Sequence, residues 1–448
     1  MTNHRRMGSE ALAKLESLVS RRTLLRTGAT GAAGLGLAAL TGHAAPGRAR
    51  AAQDAVCGGE AATLTYGFWD AAQRPAVEAQ IEAFRALNPN ITIEPQVVPF
   101  DDYWTKLQTG LAGGSIYDVF WVNTSNLPVY ASQGAILPIE PILGEGGVDV
   151  GVYPEALVNA YTFDGTVYGI PRDFDTIALF YNTELFDTAG VAYPTADWTW
   201  EDLRTAAEAL TVKDGDTATQ WGFGATISEQ QTYFNFIKQN GGQILNEDLT
   251  EALLDEPAAC EALAFVGDFI EAGLSPSVAV QQANDPYQTL FPAGVIAMIP
   301  GGSWNARTFS EANPAIAVAP LPMGTQRASA IHGLANVIWA QTANQCAALE
   351  WVKFLAGEEA ERILGETGTV IPAMAGLQEG WVASVPEMDL QVFLDAVDYS
   401  FELPSPPVGD EWSYDLEAVL IEAWSGGIPR DEVCVRADEV ADAALAAD

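Results

Sequence analysis

Between Tyr168 and Asn182 two apolar, β-type runs are separated by a charged, turn-prone cluster that holds Pro171, Arg172, Asp173 and Asp175. A segment of this kind stays extended while carrying charge at its centre. A strand that leaves one sheet and enters another has that pattern, so the chain is expected to fold as at least two units joined by extended crossings. Its 448 residues, 48% hydrophobic and 18% charged, are enough for two cores rather than one.

The segment before the crossing alternates strand and helix. Thr63 to Trp69 reads as a strand with Asp70 after it. Pro75 then opens a helix with Val77, Ile81, Phe84 and Leu87 at helical spacing, and Asn88-Pro89-Asn90 ends it. Ile91 to Val98 is a second strand, a helix with Tyr103, Leu107 and Leu111 ends at Gly113-Gly114, and Tyr117 to Val122 is a nearly continuous apolar strand of the buried kind. This is the α/β pattern with parallel strands, in which ligands sit beyond the carboxyl ends of strands. Those ends are Trp69-Asp70 and Asn123-Thr124-Ser125.

Beyond the crossing, Thr199 is expected to cap a helix through a box with Asp202, and Trp221-Gly222-Phe223 reads as strand. Gln230 to Phe236 begins a helix, and Gly294 to Ile299 is a buried strand delivering Pro300-Gly301-Gly302-Ser303-Trp304 into a loop. Ala330 to Trp339 resembles a second crossing, and a Pro-rich turn from Leu403 to Pro407 precedes the last helices.

The first residues read as an address rather than as part of the fold. Ser20-Arg21-Arg22-Thr23-Leu24-Leu25-Arg26 is a twin-arginine export motif, followed by a Gly/Ala/Leu run and by Ala49-Arg50-Ala51, which sets residues 1–51 as the signal peptide. Asp54-Ala55-Val56 does not make a lipobox before Cys57, which argues against lipidation. Residues 1–52 hold eight Lys or Arg and two Asp or Glu, so the remainder carries 13 basic and 57 acidic residues, a formal −44. That surface repels nucleic acid and anionic membranes. Solubility is the ordinary reading of such acidity, and attraction of cationic ligands is the other. Four cysteines, Cys57, Cys260, Cys346 and Cys434, remain after processing, an even number that suits two disulfides in an oxidising compartment. His332 is the one histidine of the mature chain, which leaves little for nucleophilic triads or histidine metal sites.

Several motifs in order and at family spacing carry a resemblance. They are F-W at the first strand, A-F-R-A-L-N-P-N-I-T-I, Y-D-V-F-W-V-N, Y-G-I-P followed by F-Y-N-T-E-L-F, W-T-W-E-D-L, G-G-S-W, H-G-L-A-N, A-L-E-W-V-K-F-L and G-T-V-I-P. From about Leu64 onward the chain resembles the family-one extracellular solute-binding proteins, the sugar-binding subunits of bacterial ABC importers. The resemblance implies an α/β, two-lobed periplasmic-binding-protein fold (type II-like) with interlobe strand crossings and a central ligand cleft. It places one lobe at 53–174 plus 332–372 and the other at 175–331 plus 373–448. On that map Cys57 would pair with Cys346 and Cys260 with Cys434.

Sugar recognition needs flat aromatics for C–H faces and planar amides or acceptors for hydroxyls. Trp304 matches the family's G-x-W motif as a stacking residue, with a core tryptophan as the other reading. Trp69 is a second candidate. Asp70, Asn123 and Thr124 are expected at the ligand from their strand ends, where a cap or turn would serve equally. Gln231 and Tyr233 resemble second-lobe helix contacts, Asp173 and Asp175 lie within the crossing, and His332 stands where the family often has glycine.

The expected function is extracytoplasmic capture of a carbohydrate or sugar-like solute and its delivery to permease subunits by a monomer with no cofactor, no metal, no nucleic-acid partner and no catalytic residues. Two alternatives remain: a secreted carbohydrate-active enzyme, which needs two carboxylates at a fixed separation, and a polyamine binder of the same fold, which needs several carboxylates converging in the cleft.

Overall fold

The computed structural model describes residues 61–446 apart from position 216. The export motif, its cleavage pattern and Cys57 lie outside the described residues. Strands β1 (Ala62–Phe68), β2 (Ile91–Val97) and β3 (Val119–Asn123) are parallel, with β1 between the other two, as the alternating pattern of the sequence requires. The connecting helices are Arg74–Leu87, with Pro75 in its first turn, and Phe100–Gly113. Gly114 ends the latter at φ 66°, a left-handed position that glycine takes without penalty.

After a small hairpin, β4 (Thr162–Phe163) with β5 (Thr166–Val167), the chain enters β6 (Ile170–Asn182), thirteen residues long and buried throughout. A second hairpin pairs β7 (Val212–Asp214) with β8 (Thr217–Gln220). The remaining strands are β9 (Met298–Gly302), β10 (Ile316–Ala319), β11 (Ser329–Ile338), β12 (Ile371–Pro372) and β13 (Ser400–Glu402). They join β1, β2, β3 and β6 in one nine-stranded sheet.

Within this sheet β6 changes neighbours along its length. Its first half, Ile170 to Thr176, pairs with β11 and β12, whereas Ile177 to Asn182 pairs with β9 and β10. The crossing expected from the sequence is thus a continuous strand serving two parts of the molecule. β11 is the second crossing: it continues the ladder to β3 at one end and meets β13 at the other.

One large core gathers Leu64, Tyr66, Phe84, Trp121, Trp351 and Trp381, and a second gathers Leu203, Phe234, Leu263, Phe269, Trp412 and Leu420. Phe180, Phe309 and residues 381–394 contribute to the first, although the resemblance assigns them to the second lobe. Cys260 and Cys434 are bonded with Cα atoms 5.3 Å apart, tying helix Pro257–Glu271 to helix Val433–Leu445. The other expected pair includes Cys57, outside the described residues.

The capping box is present: Thr199 accepts from the Asp202 amide while the Asp202 carboxylate accepts from the Thr199 amide at 2.8 Å. Two local expectations are corrected. Trp221 makes only an isolated bridge to Ile296, so no strand forms at 221–223. Pro300, Gly301 and Gly302 are not a loop but the end of β9, paired with Leu179, Ala178 and Ile177. β9 pairs with β6 alone, and on such an edge a proline without an N–H is tolerated.

Candidate functional site

The charged centre of β6 divides its carboxylates between two tasks. Opposite Leu334 and Ala335 the β6–β11 register shifts by one residue, leaving Arg172 outside the ladder. Such a bulge re-aims side chains. The Arg172 guanidinium lies 4.2 Å over the Trp121 ring and forms a buried ion pair with Asp173. Trp121 Nε1 donates to the Tyr66 hydroxyl (2.6 Å), which donates to Asn336 Oδ1 (2.6 Å). Asp173 also accepts from the Leu334 amide at 3.1 Å. Burial pushes the Asp173 carboxyl up to about 6 against the pull of Arg172. At 2% exposure, with its oxygens engaged by Arg172 and the Leu334 amide, Asp173 ties the crossing strands together.

Asp175 lies two residues on, directly opposite His332 in the ladder. Its Oδ1 accepts from Gln230 Nε2 at 2.7 Å and its Oδ2 faces His332 Nδ1 at 3.4 Å. Burial opposes protonation of His332, but hydrogen bonding to Asp175 and the charges of Asp175, Asp410 and Asp173 outweigh it and hold the imidazole above its ordinary pKa.

Gln230 and Gln231 come from a π-helical turn, Glu229–Tyr233, capped by Ser228. Gln231 Oε1 accepts from the Gly302 amide (3.3 Å) and from Asn305 Nδ2 (3.2 Å), which fastens the turn to the end of β9. Tyr233, at the close of the turn, points inward instead. It has no exposed surface and packs on Phe234 and Trp424 in the second core, apart from the polar groups that Gln230 and Gln231 engage. Its hydroxyl has no hydrogen-bond partner among the described residues. Half-buried Glu229 was not singled out from the sequence. Burial, with Asp410 and Glu417 nearby, pushes its carboxyl up to about 7.

Trp304 follows β9 and its indole folds back over Gly302. A Cβ on Gly302 would stand 1.9 Å from the ring, so only glycine admits this position. The half-buried ring also packs against the cluster of Ala76, Leu364 and Val370 and against the second core. Trp69, at the end of β1, is half-buried in an aromatic cluster with Phe100, Tyr103, Trp104 and Trp121 at centroid distances of 5.1 to 5.6 Å. Asp70 accepts from the Ala72 amide (2.8 Å) and Gln73 Nε2 (3.0 Å), so the cap that was the other reading is what the carboxylate does.

At the end of β3, Asn123 and Thr124 are buried. Asn123 Oδ1 accepts from the Asn126 amide (3.2 Å) and Asn126 Nδ2 (2.9 Å), and the same Nδ2 donates to Asp410 Oδ2 at 2.6 Å. Burial holds the Asp410 carboxyl above its usual range while Ser125, His332, Asn123 and Asn126 pull it down. Neither Asp410 nor Asn126 stands out in the sequence. Among the described residues no group of three or more His, Cys, Asp or Glu could hold a metal ion.

The Trp304 indole over Gly302, with Gln231 bonded to the Gly302 amide, sets a flat apolar face beside an amide, the pair of groups that C–H faces and hydroxyls require. The model of the bacterial extracellular solute-binding protein family matches residues 69–362. The chain belongs to that family. A Brucella abortus (strain 2308) protein named only as a binding protein is 28% identical over 280 residues, 61% of this chain and 66% of its own length, just under two thirds. The maltodextrin-binding protein of Bacillus subtilis is 23% identical over 326 residues, 70% of this chain and 74% of its own. Among solved structures, a Listeria monocytogenes ABC substrate-binding protein in complex with cycloalternan superposes with a TM-score of 0.81 at 26% identity, covering 86% of this chain and 99% of that one. The fold of this family member is accordingly the two-lobed solute-binding architecture.

Proposed function

We propose that this protein captures a carbohydrate outside the cytoplasmic membrane and delivers it to the permease of an ABC importer. The observation that carries the reading is the Trp304 indole, laid over Gly302, with Gln231 fastened beside it and the Asp175, Gln230 and His332 group on the crossing strands. Relatives named for maltodextrin, arabinooligosaccharide and galactooligosaccharide binding support an oligosaccharide as the solute. On this reading the twin-arginine motif directs export, and lobes divided near Asp175 and His332 close on the ligand as a monomer.

A thermal-shift and calorimetry series with maltodextrins, arabino- and galactooligosaccharides and diacetylchitobiose tests it. Stoichiometric binding without turnover supports the reading; no binding to any of them, or hydrolysis, sinks it. Replacing Arg21 and Arg22 with Lys should retain the precursor inside the cell, and unchanged export would remove the twin-arginine route. The polyamine alternative draws on Asp175, Glu229 and Asp410, whose charges surround His332. It requires spermidine affinity that falls steeply with salt, whereas neutral sugar binding is nearly salt-independent.

A further inference from the structure

We propose that residues 403–410 form a strap that latches the two lobes together through a hydrogen bond from Asn126 to the Asp410 carboxylate. Asn126 precedes helix Leu127–Ser132, whose Leu127 and Tyr130 pack with Tyr103 and Phe120 beside β3. Asp410 precedes helix Glu411–Trp424, whose Trp412 and Leu416 belong to the second core. The segment between β13 and that helix is itself seated on the second core through Leu403 and Val408, and it reaches the Leu127–Ser132 side at Asn126 and Val129.

Two independent features fit the strap to its seat. Both hydrogens of the Asn126 amide are used, one on Asn123 Oδ1 at 2.9 Å and one on Asp410 Oδ2 at 2.6 Å. Gly409, at φ 78°, backs onto the same helix: a Cβ there would lie 2.7 Å from Val129 Cγ2. Glycine is thus required at 409 both by backbone conformation and by space. The strap is stiffened by Pro404, Pro406 and Pro407, and the Gly409 amide donates to the Pro406 carbonyl at 2.9 Å.

A hydrogen bond to a charged carboxylate biases an equilibrium by roughly tenfold to a hundredfold. Two-state equilibria in proteins commonly leave the minor state at roughly 0.1 to 10%, so one such bond is enough to shift the resting population of the lobes measurably. Breaking it frees the lobes to move about β6 and β11 while Trp304, Gln231, Asp175 and His332 keep their identities and their local hydrogen bonds.

The test uses the full mature chain with no sugar added, so its outcome is independent of the carbohydrate reading. Small-angle scattering should show a larger radius of gyration for Asn126→Ala and Asp410→Ala, and the largest for Asn126→Asp, which sets two carboxylates against each other. The double variant N126A/D410A should open no further than D410A alone, because both changes remove the same bond. Gly409→Ala, which leaves the polar atoms intact, should open the chain as well, with circular dichroism confirming that each variant is folded. Unchanged dimensions in both N126A and N126D would overturn the latch. So would opening in D410A alone, which would mean that Asp410 acts through other partners.

Discussion

His332 stands between carboxylates on three sides: Asp175 and Asp173 on β6, Asp410 on the strap, and Glu229 on the π turn. Its folded pKa is raised above the unfolded value of about 6.5, so its contribution to stability is complete below pH 6.5 and is lost as pH rises through the folded pKa. Buried carboxyls raised to about 6 at Asp173 and about 7 at Glu229 act in the same direction, since each ionises at a cost to the folded state. Unfolding by denaturant should therefore give a chain that loses stability from about pH 4 to pH 8. Glu229→Gln should restore part of the loss at pH 8 and change little at pH 5; equal effects at both would remove Glu229 from the account. Trp304→Ala should weaken oligosaccharide binding by about 1 to 3 kcal/mol in calorimetry with the melting temperature nearly unchanged. Large destabilisation with intact affinity would make the indole a core residue instead.

At the scale of the element, the helix Trp200–Leu210 was legible because a capping box is a four-residue signal, and Thr199→Ala should cost about 1 kcal/mol of stability in chemical denaturation. The parallel strands β1, β2 and β3 were legible for the same reason: strand and helix periodicities are local. The crossing was readable because charge set inside apolar runs suits a strand that leaves one packed body for another and would be costly in the middle of a single core. What failed to show was long-range or broke a local rule. Asp410 meets Asn126 across 284 positions, a pairing no spacing reveals. Pro300-Gly301-Gly302 reads as loop until β6 is seen to supply a partner on one side only. The inward turn of Tyr233 depends on a π turn, which widens the helix by one residue and shifts the buried face. Gly302→Ala tests the same element from the other side: a Cβ there must displace the Trp304 ring, and sugar affinity should fall with strand content unchanged in circular dichroism.

For the whole molecule, the disulfide between Cys260 and Cys434 joins helices 174 positions apart. In the chain-entropy account so long a loop is worth about 5 kcal/mol, an upper figure. Replacing both cysteines with Ala should lower the unfolding free energy by about 2 to 5 kcal/mol and free the helix Val433–Leu445 first, seen as faster amide exchange there. Uniform exchange along the chain would place the tie elsewhere. The middle of β6 is pinned in another way. Thr176 Oγ1 donates to the Phe393 carbonyl, the Ser303 amide donates to the Thr176 carbonyl, and Ser329 Oγ both accepts from the Ile177 amide and donates to its carbonyl. These bonds cluster where the strand passes from one set of neighbours to the other. A strand hydrogen-bonded on both sides of such a point behaves as a torsion rod clamped at its midpoint: the two ends can rotate against each other, but neither can slide. A closing motion of the lobes should therefore pivot at Thr176 and Ile177, and the amides there should be among the slowest in the protein to exchange, whatever fills the space between the lobes.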